Sequence, residues 1–125
     1  SLKTTDQLVR VEREIKMDIF IAIIDRPVGY VHHGTVYPIN YGYIEHIIAG
    51  DGEEQDVYIL SRLPEYNKPL QTFTGKLIAI ITRKDDVEDK WVLTTEKEIF
   101  TQAEILQAVH FQEQYFDAQV DLVED

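Results

Sequence analysis

Tyr37, Asn40, Tyr41 and Tyr43 surround a single glycine, Gly42, and lead into a run of acids, Asp51, Glu53, Glu54 and Asp56. A second run, Asp85, Asp86, Glu88 and Asp89, ends directly at Lys90. Carboxylates at this density suit a hard divalent cation, and Mg²⁺ in particular takes carboxylate and water oxygens, with phosphate completing its octahedron. Two such loops brought face to face without a cation would repel by about 1 kcal/mol per exposed contact pair in water. Charge runs also occur as solvated hairpin loops, and a tyrosine-rich stretch also reads as a core strand, so spacing alone leaves both alternatives open. The loop "DGEEQD" is not an EF-hand, because it lacks the alternating ligands, the sixth-position Gly and the twelfth-position Glu. Neither "GDG" nor "VGYVHHG" sits in the strand-to-helix context of a P-loop or dinucleotide fingerprint.

The elements that would position these residues are mostly strands. "MDIFIAIID" (17–25) is apolar and β-branched and stops at Pro27 and Gly29. "TVYPINYGYI" (35–44) is extended, with Pro38 keeping it from being a central strand throughout. Strands are also expected over 56–63, 75–83 and 90–96. At Thr101 the period changes: Glu104 three residues on completes a capping box, and Ile105, Leu106, Val109 and Phe111 follow a helical spacing to about 113. Strands first and one helix last predict a mainly β (α+β) domain, a small antiparallel barrel with a C-terminal helix packed on it. Residues 1–16, with Leu8, Val9, Val11 and Ile15 scattered among charges, are expected to be an N-terminal extension, and 17–125 the single domain.

With 125 residues, 44% hydrophobic and 28% charged, the chain has room for one core. The absence of cysteine excludes disulfides, zinc–thiolate sites and cysteine nucleophiles. The longest apolar run, 19–24, is strand-sized and far from the roughly 20 residues of a membrane helix. No signal-peptide pattern opens the sequence, so the expected location is cytoplasmic. A net charge of −11 argues against a nucleic-acid partner, whose binding rests on Lys and Arg contacts to phosphate.

The aromatic and acidic segments together resemble the metal-dependent (family I) soluble inorganic pyrophosphatases, whose hallmark is Y-P-x-N-Y-G-Y leading into D-G-D-P-x-D. The first motif is complete from Tyr37 to Tyr43. In the second, Asp51, Gly52 and Asp56 match, while Glu53 replaces Asp and Glu54 replaces Pro. "RKDDVEDKWV" looks like the family's second acidic loop, and "VHFQEQYF" like its C-terminal H-F-F-E-x-Y-K. The resemblance implies an OB-like five-stranded barrel whose rim binds Mg²⁺ (or Mn²⁺) and hydrolyses pyrophosphate with a metal-activated water. It implies Asp51, Asp56, Asp86 and Asp89 as metal ligands, with Glu53 and Tyr41 as the catalytic pair and Glu53 at the water-activating position. Lys90 matches a phosphate-facing lysine, Tyr41 and Tyr115 match tyrosines that hydrogen-bond metal-bound water or phosphate, and Arg26, His32 and His33 are the cationic candidates in a compressed segment before Tyr37, where Asp25 stands for a family Glu. Phe116 replaces the terminal lysine of the last motif. Two alternatives follow from these departures: a hydrolase of another phosphoanhydride, or a metal- or phosphate-binding homologue without turnover. Assembly as a homo-oligomer is compatible with each.

Overall fold

The computed structural model describes residues 19–123; residues 1–18 and 124–125, and with them the expected extension over 1–16, lie outside it. Among the described residues eight strands and one α-helix follow in chain order, with a 3-10 turn at Pro64–Tyr66: β1 (Ile19–Arg26), β2 (Val31–His32), β3 (Thr35–Val36), β4 (Tyr41–Ile48), β5 (Glu54–Ile59), β6 (Thr72–Arg83), β7 (Asp89–Thr94), α1 (Gln102–Glu113) and β8 (Ala118–Leu122). The main sheet runs β1-β4-β5-β7-β6-β8, and an additional β1–β6 pairing closes the first five strands into a barrel. β6 makes closure possible because its 12 residues pair with β1 at one end and with β7 and β8 further along.

Three details differ from the pattern read in the sequence. The seam between β5 and β7 is parallel, the other four being antiparallel. The stretch 35–44 is two strands, because Tyr37–Asn40 leave the ladder before β4 begins. β8 follows the helix and adds to β6 outside the barrel. The helix begins as expected, with Thr101 and Glu104 capping each other's backbone amides.

Strand alternation sorts the side chains into two cores. Ala22, Ile24, Ile44, Val57, Ile59, Phe73 and Leu93, drawn from all five barrel strands, fill the interior. Tyr41, Tyr58, Ala79, Ile81 and Val92 point outward and are covered by Ile105 and Val109 of α1. The barrel therefore has one dressed outer wall, and the helix ends partway along it.

Gly42 has a sterically determined role where β4 crosses β1. A Cβ there would lie 1.8 Å from the Ile23 carbonyl oxygen, with Ile24 Cα also inside contact distance. Gly42→Ala is expected to destabilise the chain by about 1–3 kcal/mol by forcing these two backbones apart. The midpoint of urea unfolding at constant slope measures it, and an unchanged midpoint would contradict the close approach.

Candidate active site on the outer wall

Beyond the end of α1 the outward positions turn polar. On β5, Asp56 precedes Tyr58 by two residues and so shares its outward face; on β7, Lys90 stands in the same relation to Val92. Parallel pairing of the two strands sets these side chains beside each other, and Lys90 Nζ donates to Asp56 Oδ2 at 2.7 Å. The same ammonium meets Glu88 Oε1. Glu88 belongs to the second acidic loop and lies two residues before Lys90, on the same side. Asp89, one residue away, is offset from that face; its carbonyl accepts from the buried Gln55 amide at 2.7 Å.

Tyr41 is the centre of this patch. Its ring packs edge-on against Tyr37 and Tyr58, and the Asp56 carboxylate acts on its hydroxyl electrostatically. Two cations stand near the ring: the Lys90 ammonium 5.7 Å and the Arg26 guanidinium 5.4 Å from its centroid. Arg26 reaches this side through a bulge in β1. Ile24 pairs with Gly42 and faces the interior, but the extra residue Asp25 makes Arg26 the partner of Tyr41 and turns it outward. Arg26 Nη1 then donates to the Tyr37 hydroxyl at 2.6 Å.

The electrostatics follow from this packing. Burial raises the Tyr41 phenol, and the Asp56 charge raises it further, so it stays a protonated donor. Burial also opposes the charge on Asp56, but hydrogen bonds from Glu88, Lys90 and Tyr41 outweigh it and hold that carboxyl below the usual range. Glu88 moves the other way: burial and the hydrogen bond to Asp56 raise it, against the pull of Lys90. Of the two acids, Glu88 is thus the one that takes a proton first.

The remaining motif residues have distinct places. Asn40 is fully buried; its side chain accepts from the Val28 and Leu70 amides and donates to the Tyr66 and Lys68 carbonyls, clamping two loop segments, one after β1 and one before β6. The two acidic loops do meet, since a Cβ on Gly50 would fall 2.6 Å from the Val87 carbonyl oxygen. Asp51 and Glu53 are exposed on a turn in which Asp51 Oδ1 accepts from the Glu53 amide, with Gly52 in the left-handed region. Asp86 accepts from the Glu88 amide and lies 3.6 Å from Arg83 Nη1. Tyr115 is exposed beside a cavity of about 220 Å³ that Arg83, Asp86 and Phe116 also line. His33 occupies the β2–β3 turn with positive φ, its ring 4.1 Å from that of His32. The structure thus brings Arg26, Tyr41, Asp56 and Lys90 together, and does not bring Asp51, Glu53, Asp86, Asp89, Tyr115 or His33 into contact with them.

Among the described residues no three acidic or histidine side chains converge as a ready-made metal cage. Asp56 and Glu88 nonetheless meet at one nitrogen, and Mg²⁺ is commonly held by one or two carboxylates together with substrate phosphates. The donor set fits a cation that arrives with a phosphate ligand. Glu88 went unassigned in the sequence, although its i, i+2 relation to Lys90 was a signal of a shared face.

Comparison with known proteins bears on the fold and the family. Residues 9–119 match the family described as inorganic pyrophosphatase. A curated inorganic pyrophosphatase of Rhodospirillum rubrum is 32% identical over 54 residues, 43% of this chain and 28% of that relative's length. The fold resembles crystal structures of inorganic pyrophosphatases from Ehrlichia chaffeensis (TM-score 0.61, 20% identity, 85% of this chain and 86% of that one) and Coxiella burnetii (TM-score 0.58, 19% identity, 86% of each). The family match spans most of the sequence and includes every strand that forms the barrel, so the chain belongs to the inorganic pyrophosphatase family.

Proposed function

We propose that the chain hydrolyses inorganic pyrophosphate to two phosphates on the outer barrel wall, with Mg²⁺ (or Mn²⁺) entering together with the substrate. The observation that carries the reading is the pair of cations beside the Tyr41 ring, next to two carboxylates that share one ammonium. Arg26 and Lys90 supply charge-assisted hydrogen bonds to phosphoryl oxygens, each contact worth about 1.5–3 kcal/mol. Asp56 and Glu88 would hold the cation, and the loop acids Asp51, Asp86 and Asp89 extend the set. When bound, the cation neutralises phosphate charge and acidifies a water. Glu53 is assigned to orient that water, and Tyr41 keeps its proton on the hydroxyl, a donor for water or phosphate oxygen beside Asp56. Tyr115 and His33 are assigned to the outlying substrate oxygens.

The reading is tested by phosphate release from pyrophosphate with and without added Mg²⁺. Release that depends on the cation is the expected result, and none at any Mg²⁺ or Mn²⁺ concentration would overturn it. Nucleoside triphosphates and polyphosphate in the same assay separate pyrophosphate from other phosphoanhydrides.

A further inference from the structure

We propose that the β2–β3 hairpin is a phosphate-reading arm, on which His32 and His33 take the third phosphoryl group of a linear triphosphate whose other two lie at Arg26 and Tyr41. This rests on that wall being the pyrophosphate site, and it extends the substrate class to phosphoanhydrides one phosphoryl group longer. The hairpin springs from the site itself. The Tyr37 hydroxyl accepts from Arg26 Nη1 at 2.6 Å, and the Tyr37 amide donates to the Tyr30 carbonyl at 2.8 Å. Register and alternation then give the hairpin two faces. Val31 pairs with Val36 on one; His32 pairs with Thr35 on the other, which is also the face of Tyr30 two residues earlier. The Tyr30 ring stands 5.9 Å from that of Tyr37 and 6.4 Å from that of His32, and His32 is 4.1 Å from His33. One row of rings therefore runs from the Arg26 guanidinium to the turn.

Each polar side chain in that row can donate a hydrogen bond, and none is a carboxylate. From Arg26 to Ile44 the sequence holds no Asp or Glu, although 23 of its 125 residues are acidic. The carboxylate next to Arg26 is Asp25, which acts on Arg26 and on Asp56 at the foot of the hairpin. His32 instead feels cations: desolvation, then the charges of Arg26 and His33, lower its imidazole from the usual range. Like charges gathered on one side with no acid among them are relieved by an anion, which draws the proton back. The turn adds a separate observation. His33 has φ 50° and Gly34 φ 81°, a type I′ pair whose first position favours Asn, Asp or Gly. His33 is exposed there, so its ring serves no core and is open to a ligand.

The experiment is calorimetric titration of the whole chain in Mg²⁺ buffer with two ligands that resist hydrolysis, methylenediphosphonate and the triphosphonate with two methylene bridges. At about pH 6 the wild type is expected to prefer the triphosphonate by at least about 10-fold, the worth of one charge-assisted contact. His32→Val combined with His33→Asn, residues that suit a strand and a left-handed turn, should bring the two affinities within about threefold. At about pH 8.5, where imidazoles are neutral, the wild-type preference should fall to that of the variant, which carries the same change in ligand ionisation. No preference in wild type, or an equal preference in the variant, would overturn the proposal. Should the variant lose the wild-type thermal transition, the imidazole NMR signals of the wild type decide. They must move further with the triphosphonate than with the diphosphonate, and an equal response would overturn the proposal. β,γ-Methylene-ATP in the same titration separates two sources of a third phosphoryl group. Affinity like the triphosphonate's brings nucleotides into the class, and affinity like the diphosphonate's confines the arm to unsubstituted chains. Phosphate release from pyrophosphate on the same preparations keeps the two readings apart. Release without the preference removes the arm and leaves hydrolysis, whereas preference without release does the reverse.

Discussion

Asp56→Asn should lower kcat/KM for phosphate release from pyrophosphate by at least about 100-fold, or about 2.7 kcal/mol of transition-state stabilisation. Asp56 is the residue on which the patch converges: it accepts from Lys90 at 2.7 Å, its charge raises the Tyr41 phenol, and it neighbours Glu88. The amide keeps the shape of the side chain but removes the charge that Lys90 faces, leaving Glu88 as that ammonium's only carboxylate. It also removes one of the two converging anions from the set that fits a divalent cation. Misplacing groups by about 1 Å is enough to cost roughly 100-fold, and removing the charge that holds Lys90 and the cation in place should cost at least that much. The fold should survive, because the backbone of β5 and the packing of Val57 and Tyr58 are untouched. Steady-state kinetics beside a thermal melt make the measurement. A variant within about threefold of wild type and equally stable would remove Asp56 from the site.

The aromatic motif was legible in the sequence because each of its positions has a local task. Asn40 clamps loops, Gly42 admits β1, and Tyr41 and Tyr37 dress the outer wall. Arg26 could be nominated from its charge but not placed, since its outward direction depends on a one-residue bulge at Asp25. β8 was missed although Ala118, Val120 and Leu122 alternate, because a short strand after a helix carries a weak signal until β6 is known to extend beyond the barrel seam. The barrel itself could be foreseen, but the parallel β5–β7 seam could not. That seam is what sets Asp56 beside Lys90, 34 residues away in the chain. The ion pair of Arg83 with Glu113 is likewise set by tertiary contact alone.

That pair carries the largest stability effect expected here. Glu113 is the last residue of α1, where the negative end of the helix dipole disfavours a carboxylate. It is nevertheless buried, at 3% exposure, and Arg83 grips both its oxygens, Nε to Oε1 at 2.9 Å and Nη2 to Oε2 at 2.8 Å. The Tyr58 hydroxyl donates to Oε2 at 2.5 Å, and the guanidinium lies 3.6 Å from the centroid of the Phe116 ring. Burial alone would ease the proton off Arg83, but the Glu113 carboxylate outweighs it and holds the guanidinium charged. Glu113→Ala strands that charge and leaves a buried phenol without its acceptor, so a loss of about 3–5 kcal/mol is expected. For a domain of this size that is a fall in Tm of roughly 10–20 °C. Arg83→Met combined with Glu113→Leu removes both charges and should regain most of the loss, since well-packed apolar side chains replace buried ion pairs at little cost. Thermal unfolding of the single and double variants measures the coupling. A single variant costing under about 1 kcal/mol would show that the pair does not anchor the helix. The anchoring matters beyond stability because Tyr58, fixed by Glu113, packs 5.0 Å from Tyr41. The helix end thereby sets the ring beside which Arg26 and Lys90 are placed.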